Sequence, residues 1–390
     1  MQLTDFLSRK NVCLGDVVAE AQARLQPVPG DVLFVCGSLV EGIGNETSDI
    51  DLYLVTSRND IQFTSLDAVL LAVGACLIDV RVVTHVAVES LLKRFDAWSQ
   101  QPRQPRAALA ICYEDRIFLH RLHTGQALYG TESFEYLRRQ VDVSQLARHK
   151  LDWARCYADG LQVDLAGLRR DGDRYTMLFT AQEVLAHAVD AILAGHQETN
   201  PNGKWRVRQL GNLSDGLEST LLGRPIGRSL RDHFLSLHRA PERDDSESVH
   251  AHALRIVAFA RQAFFWVERR LVAPRTAPPP TIEDQLASEA GGRRLPHLDL
   301  DVTIRGDTLE LFRLHGSGEV ITLSCDSAAL LCLFDGETSE ANAIRIANRL
   351  CGEGQGIEVV SQLRGLVADT GLAASPLLDQ QMLERLLGRS

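Results

Sequence analysis

The chain has 390 residues, of which 45% are hydrophobic and 24% are charged, and these values are typical of a globular protein with two or three domains. The formal net charge of −10 argues against a nucleic-acid partner, because binding a phosphate backbone requires clustered Lys and Arg. We find neither the apolar stretch of a signal peptide nor a run approaching the roughly twenty apolar residues of a membrane span. We therefore expect a cytoplasmic protein without a membrane partner.

Hydrophobic periodicity divides the chain into an N-terminal α/β region and a long helical region. The first region is predicted to contain one helix and three strands: a helix over 1–28 and strands near 31–36, 49–55 and 77–83. Such a pattern is typical of a small mixed sheet with helices. From about 87 to 272 the pattern is almost entirely helical, as in a helical bundle. We place an α/β domain at 1–100 and a helical domain at 101–272.

A Gly-Ser pair after the first strand and two carboxylates at the second strand form the most informative motif. Because successive side chains of a strand point to opposite faces, Asp49 and Asp51 share one face. Gly37 lets the backbone approach a ligand closely, and Ser38 opens a segment whose N–H groups, at a helix start, suit phosphate oxygens. The alternative interpretation is an ordinary tight turn followed by a solvated strand edge.

A third carboxylate, Asp79, lies between apolar residues in the third predicted strand. Clustered carboxylates suit Mg²⁺, which prefers one or two carboxylates plus substrate phosphates to a closed protein cage. Two ions held in this way would activate an acceptor oxygen and neutralise a leaving pyrophosphate. The motif therefore predicts a site for two Mg²⁺ ions, with Mn²⁺ as an alternative, held by Asp49, Asp51 and Asp79.

In this order, Gly37-Ser38, Asp49-Ile50-Asp51 and an isolated Asp79 resemble the signature of the polymerase-beta-type nucleotidyltransferase superfamily. The resemblance covers residues 1–100. It implies an α/β nucleotidyltransferase domain, a nucleoside triphosphate substrate and transfer of a nucleoside monophosphate, for which we expect AMP. It also implies that the three aspartates are catalytic and bind metal, and that Gly37 and Ser38 bind the nucleotide.

A second segment resembles the helix and Lys-Trp element that follows the catalytic domain in small-molecule nucleotidyltransferases: residues 183–194, 201–203 and Lys204-Trp205-Arg206. This resemblance implies that Lys204 contacts the triphosphate, where a cation offsets the charge that builds in the transition state. Glu183, His187 and Asp190 fall near one helical face. Glu183 is a candidate general base, with Asp79 as the competing candidate. The alternative for this face is a solvated polar stripe.

The C-terminal region is predicted to be a separate module that follows a linker. Pro and Gly concentrate over 273–296, where apolar periodicity stops. Alternating apolar and polar residues over 302–323 predict three short antiparallel strands. Helical segments follow at about 326–334, 338–350 and 356–370. This order predicts a winged-helix-like α+β module over 297–390.

This module resembles the peptide-binding domains of the PqqD-like family, also called RiPP recognition elements. The resemblance lies in residues 323–338, which include Asp335-Gly336, and in the ending Leu363-x-x-Leu366-x-x-x-Thr-Gly371-Leu372. It implies that the leader of a precursor peptide adds a strand to the sheet and packs along a helix. The alternatives are a DNA-binding winged helix or a self-association module, and the weak basic clustering of the third helix argues against DNA.

Together these features predict a Mg²⁺-dependent enzyme that transfers a nucleoside monophosphate from a triphosphate to a hydroxyl or similar acceptor. The C-terminal module favours an acceptor on a ribosomally made peptide in natural-product biosynthesis. A second hypothesis keeps the chemistry and changes the acceptor to an antibiotic-type small molecule or to a protein. A third is a non-catalytic peptide-binding scaffold, against which the intact Asp49, Asp51 and Asp79 argue.

Overall fold

The structure is a computed structural model that describes residues 1–58, 68–102, 105–213, 229–271, 293–295, 301–305, 308–312, 321–323, 330–331, 333–336 and 338–369. The chain divides into two compact units. Unit 1 comprises Met1–Leu146 and Thr199–Arg208, and unit 2 comprises Ala147–Glu198 and Gln209–Ser390. The predicted domain boundaries stay predictions, and most of the predicted linker at 273–296 lies outside the described residues.

Unit 1 is built on a five-stranded mixed sheet. Its strands are β1 (Val32–Cys36), β2 (Ile50–Thr56), β3 (Ala68–Val73), β4 (Cys76–Thr84) and β5 (Gln126–Tyr129). Their order across the sheet is β3-β4-β2-β1-β5. β2 and β4 run parallel, whereas the other neighbouring pairs run antiparallel. The predicted small mixed sheet is confirmed, and the two outer strands, β3 and β5, were not predicted.

Short helices cover this sheet. They are α1 (Leu3–Arg9), α2 (Leu14–Leu25), α3 (His85–Gln100), α4 (Tyr113–Thr124) and α5 (Thr131–Arg139), with 3-10 turns at Pro105–Ala110 and Gly203–Trp205. The prediction of one helix over 1–28 is wrong. Asn11 has a positive φ of 51°, which ends the first helix, and Cys13 caps the second by accepting the Asp16 N–H at 3.3 Å.

The sheet has a hydrophobic core on each face. On one face, Leu33 and Leu52 pack with residues of α1 and α2. On the other face, Phe34 and Tyr53 pack with residues of α3, α4 and α5. Every residue of β1 and β2 is buried, which explains their nearly unbroken apolar sequences. This two-sided burial fixes the register of β2, because a shift by one residue would exchange its two faces.

The helices that follow in the chain lie mostly in unit 2. They are α6 (Val143–Asp171), α7 (Arg174–Gly195), α8 (Arg206–Asn212), α9 (Leu230–His238) and α10 (Ser246–Leu271). The core of this unit contains apolar residues of α7 and α10, such as Leu185 and Phe264. The predicted helical region is therefore confirmed. Among the described residues, α7 alone has the length and mean hydropathy of a membrane span, and just over half of that stretch is buried inside the protein.

The described C-terminal part contains a small sheet and two helices. The strands are β6 (Asp301–Arg305), β7 (Thr308–Phe312) and β8 (Ile321–Leu323), which pair antiparallel in that order. The helices are α11 (Glu340–Cys351) and α12 (Gly356–Asp369). Most of the helix predicted at 326–334 and the Thr-Gly-Leu ending at 370–372 lie outside the described residues. The winged-helix arrangement stays a prediction.

Phe34→Ala is expected to destabilise unit 1 strongly. The Phe34 ring is fully buried. Its centroid lies 5.4 Å from the ring centroid of Tyr53, 6.4 Å from that of Phe118 and 5.2 Å from that of Phe134. Truncation leaves a cavity, so the opening free energy measured by native-state hydrogen exchange of the β1 amides should fall by about 3–5 kcal/mol. Leu70→Ala, at a side chain that is 75% exposed, should change it by less than about 0.5 kcal/mol. A loss below about 1 kcal/mol for Phe34→Ala would contradict this account of the core.

Candidate metal centre

The register of two parallel strands brings the predicted aspartates together. Asp51 on β2 is the direct partner of Asp79 on β4. Asp49 lies just before β2, two residues from Asp51, so it projects to the same side. Each of the three carboxylates offers one oxygen, and these oxygens all lie within 4.8 Å of one another. The three residues therefore form one acidic cluster in the sheet.

This donor set fits a divalent cation. Asp49 is exposed, Asp79 is partly buried and Asp51 is only 8% exposed. Within the described part of the chain, the buried Oδ1 of Asp79 has no hydrogen-bond partner. A buried acceptor without a donor costs about 1–3 kcal/mol, which a bound cation would offset. Hard carboxylate oxygens of this kind suit Mg²⁺ or Mn²⁺.

Arg121 on α4 is a residue of the site that the sequence analysis missed. Its Nη2 donates to Asp51 Oδ1 at 2.9 Å, and its guanidinium carbon lies 5.7 Å from the centre of the Tyr53 ring. Burial acts to lower the pKa of Arg121, but the acidic groups around it raise the pKa above its ordinary value. The contact joins residues 70 positions apart, so no local spacing distinguishes this arginine from the others.

Asp51 has a perturbed acidity. Burial raises the pKa of Asp51 to about 6. The positive charge of Arg121 opposes this increase, whereas the negative charges of Asp49 and Asp79 add to it. Because a carboxylate must be ionised to bind a metal, protons and cations compete at this residue.

The Gly37-Ser38 pair forms a tight loop against the aspartates. Gly37 has a φ of +81°, which favours glycine, and a Cβ atom there would overlap the Asp51 carboxylate. The carbonyl oxygen of Ser38 accepts the N–H groups of Ile43 and Gly44 at 2.9 and 2.8 Å. These hydrogen bonds close the chain into turns, so the expectation of a helix start at Ser38 is wrong. None of the hydrogen bonds of the described residues has the N–H group of Ser38 or Leu39 as its donor.

Lys204 and Glu183 lie in different units. Lys204 belongs to the Thr199–Arg208 segment of unit 1, where it is exposed and its Nζ lies 5.0 Å from the centre of the Trp205 ring. Arg208 in the same segment donates to the carbonyl oxygen of Gly44 at 2.8 Å. The segment therefore contacts the end of the Gly37–Gly44 loop. Glu183 is an exposed residue of α7 in unit 2. The roles predicted for both residues stay predictions.

Comparison with known proteins identifies no family for this chain. No protein-family model and no curated protein matches the chain. Among solved structures, a nucleotidyltransferase-like protein from Exiguobacterium sibiricum is similar, with 11% sequence identity, a TM-score of 0.36, and coverage of 66% of this chain and 78% of that chain. A likeness at this TM-score decides neither fold nor activity. Support for a function must therefore come from the residues of the site.

Metal affinity is expected to fall as the pH is lowered through about 6. In the metal-free protein the pKa of Asp51 is about 6, so below this pH the proton removes a ligand, and above it the carboxylate is available. The Kd for Mn²⁺, measured by calorimetry between pH 5 and 8, should rise up to about tenfold per pH unit below 6. Asp51→Asn should bind weakly, with little change over pH 5.5 to 7.5. An affinity of the unmodified protein that is flat across this range would contradict the assignment of Asp51 as a ligand.

Gly37→Ala should disturb the metal site through direct overlap with Asp51. The added methyl group must displace the carboxylate, so we expect at least about a tenfold loss of Mn²⁺ affinity in the same calorimetric measurement. Gly30→Ala is the matched control, because Gly30 also has a positive φ of +98° but has open space around its Cβ position. Equal losses for the two variants would show that backbone strain, rather than the overlap, is responsible.

Proposed function

We propose that this chain is a Mg²⁺-dependent nucleotidyltransferase that moves a nucleoside monophosphate, with AMP as the expected group, from a triphosphate to a hydroxyl or similar acceptor. The observation that carries the proposal is the cluster of Asp49, Asp51 and Asp79 beside the Gly37-Ser38 loop, with an unpartnered buried oxygen on Asp79. A cation-binding carboxylate set next to main-chain N–H groups is suited to a substrate that carries phosphates and a metal.

Each part of the site has a distinct task in this reaction. Asp49, Asp51 and Asp79 would hold Mg²⁺, which when bound activates the acceptor oxygen and neutralises the leaving pyrophosphate. The N–H groups of Ser38 and Leu39 would bind phosphate oxygens of the triphosphate. Arg121 holds the Asp51 carboxylate through its 2.9 Å contact, and so orients that ligand. Lys204 would add a positive charge near the phosphates.

The chemical step forms one bond and breaks another at the α-phosphorus. The acceptor oxygen bonds to the α-phosphorus, the bond from that phosphorus to the bridging oxygen breaks, and pyrophosphate leaves with the electron pair. The acceptor's proton goes to a carboxylate. Asp79 is one candidate base, and Glu183 is the competing candidate.

For the acceptor we propose a ribosomally made peptide whose leader segment binds the C-terminal module. Two features support this proposal: the resemblance of residues 323–338 to peptide-recognition domains, and the three-stranded sheet in which β6 and β8 are the outer strands. An outer strand offers backbone groups to which an extended peptide can add a further strand.

The central test is nucleotide transfer by the purified protein. With Mg²⁺, each labelled nucleoside triphosphate and the peptides encoded beside the gene, we expect pyrophosphate release and a peptide mass increase equal to one nucleotide. Asp51→Asn and Asp79→Asn should lower the rate by at least about 100-fold, because each removes a metal ligand. Asp5→Asn, at an exposed residue of α1, is the matched control and should leave the rate unchanged.

The other outcomes distinguish the alternatives. Pyrophosphate release without peptide modification would assign the acceptor to a small molecule or a protein. Tight peptide binding without pyrophosphate release under any condition would contradict the proposed enzyme and favour a binding scaffold. Activity that survives Asp51→Asn would show that the acidic cluster is not the reaction site.

A further inference from the structure

A buried network of polar side chains centres on Glu41, which belongs to the Gly37–Gly44 loop. The Oε2 atom of Glu41 lies 3.1 Å from His120 Nε2 and accepts a hydrogen bond from Asn200 Nδ2 at 2.9 Å. The other ring nitrogen of His120, Nδ1, lies 2.8 Å from Thr199 Oγ1. The Glu41 and His120 side chains are 12% and 4% exposed, and Thr199 and Asn200 are also buried.

The carboxylate of Glu41 is ionised in this setting. Burial acts to raise the pKa of Glu41, but the adjacent His120, the hydrogen bond from Asn200 and the positive charge of Arg121 outweigh burial and lower the pKa. The same ionised oxygen therefore accepts a hydrogen bond from Asn200 and lies within ion-pair distance of His120. The contact between His120 Nε2 and Glu41 is an ion-pair distance of 3.1 Å, and the Nδ1 atom of the same ring lies 2.8 Å from the Thr199 hydroxyl.

Hydrogen bonds connect Glu41 with Gly37 at the start of the loop and with Lys204. The backbone N–H of Glu41 donates to the carbonyl oxygen of Gly37 at 3.1 Å. On the other side, Asn200 Oδ1 accepts the N–H of Asn202 at 2.9 Å, and Asn202 Oδ1 accepts the N–H of Lys204 at 3.2 Å. A continuous series of hydrogen bonds therefore connects Gly37 with Lys204.

The same network reaches the metal-binding carboxylates through α4. His120 contacts Glu41, and the next residue, Arg121, contacts Asp51. These two contacts come from adjacent positions of one helix, so α4 borders both Glu41 and Asp51. The Glu41 side chain thus contacts α4 through His120 and the Asn200–Lys204 turn through Asn200.

We propose that Glu41 is a positioning residue for the triphosphate. It holds the Gly37–Gly44 loop and the Asn200–Lys204 turn in one fixed arrangement, so that the N–H groups of the loop and the Lys204 side chain meet the same phosphate chain. Glu41 acts through these two segments and not by contact with the phosphates. The identity of this ligand rests on the proposed function.

The test combines a readout that needs no ligand with one that does. Glu41→Gln keeps the size of the side chain but removes its negative charge, so the contacts of this oxygen with His120 and Asn200 lose their charge assistance and weaken. In the ligand-free protein, we expect hydrogen exchange to accelerate at least about tenfold in both the 38–44 and the 200–204 segments. The Kd for a non-hydrolysable triphosphate analogue with Mg²⁺ should rise about tenfold, and that for Mn²⁺ alone should change less than about twofold.

Glu46→Gln is the matched control. Glu46 lies in the same connection between β1 and β2, but its ion pair with Arg9 at 2.7 Å is exposed to solvent. It should leave all three measurements within about twofold. Thr199→Val is a milder variant that keeps the shape of its side chain and removes only the hydroxyl beside His120. It should accelerate exchange in the same two segments by a smaller factor, which keeps the test usable if Glu41→Gln does not fold.

Each remaining outcome is decisive. Accelerated exchange in one segment only, or in neither, would overturn the proposed connection. Unchanged analogue binding by Glu41→Gln, in a protein that binds the analogue when unmodified, would overturn the positioning role and leave the proposed function intact. An unmodified protein that binds no triphosphate analogue would overturn the proposed function and with it the ligand assigned here, even if both segments exchange faster.

Discussion

The pairing of β2 with β4 is the constraint on which the site depends. Parallel pairing in this register makes Asp51 and Asp79 direct neighbours, and Asp49 joins them from the residue before the strand. Burial, with a smaller contribution from the negative charges of Asp49 and Asp79, raises the pKa of Asp51 to about 6, although the positive charge of Arg121 opposes the increase. The register cannot relax by one residue, because β1 and β2 are buried on both faces. The Arg121 guanidinium offsets part of the negative charge of the cluster, and a bound metal ion would offset more of it.

Helix α4 links the hydrophobic core to this charged site. Phe118, Leu119 and Leu122 pack into the core beside β1, while His120 and Arg121, on the intervening positions, contact Glu41 and Asp51. Packing of the apolar positions thus sets where the two polar side chains lie. Because these contacts are buried, they are less screened by solvent and salt than surface ion pairs. The energetics of the fold and the geometry of the site are consequently coupled through one helix.

The local sequence pattern was sufficient to predict the elements that depend on neighbouring residues alone. The apolar runs of β1, β2 and β4 predicted strands, and the alternation around Asp49 and Asp51 predicted a shared face. The edge strand β3 was missed because Ala68–Val73 is a short apolar run that periodicity alone cannot assign. The turns after Ser38 were misread as a helix start, since their hydrogen bonds depend on the carbonyl oxygen of Ser38 accepting from Ile43 and Gly44.

Contacts between residues distant in the chain could not be predicted from one sequence. Arg121 meets Asp51 across 70 positions, and Asn200 meets Glu41 across 159. No spacing rule connects such residues, and each is of a type that is common on protein surfaces. The sequence could predict that the three aspartates cluster as candidate metal ligands, but the arginine and the buried glutamate near them became visible only in the folded arrangement.

The most direct test of the central claim is anomalous scattering from crystals grown with Mn²⁺ and a non-hydrolysable triphosphate analogue. The account predicts a Mn²⁺ peak in contact with carboxylate oxygens of Asp49, Asp51 and Asp79, with the phosphates against the Gly37-Ser38 loop. Crystals in which Mn²⁺ and the analogue are both ordered elsewhere, with the three carboxylates free of metal, would contradict it.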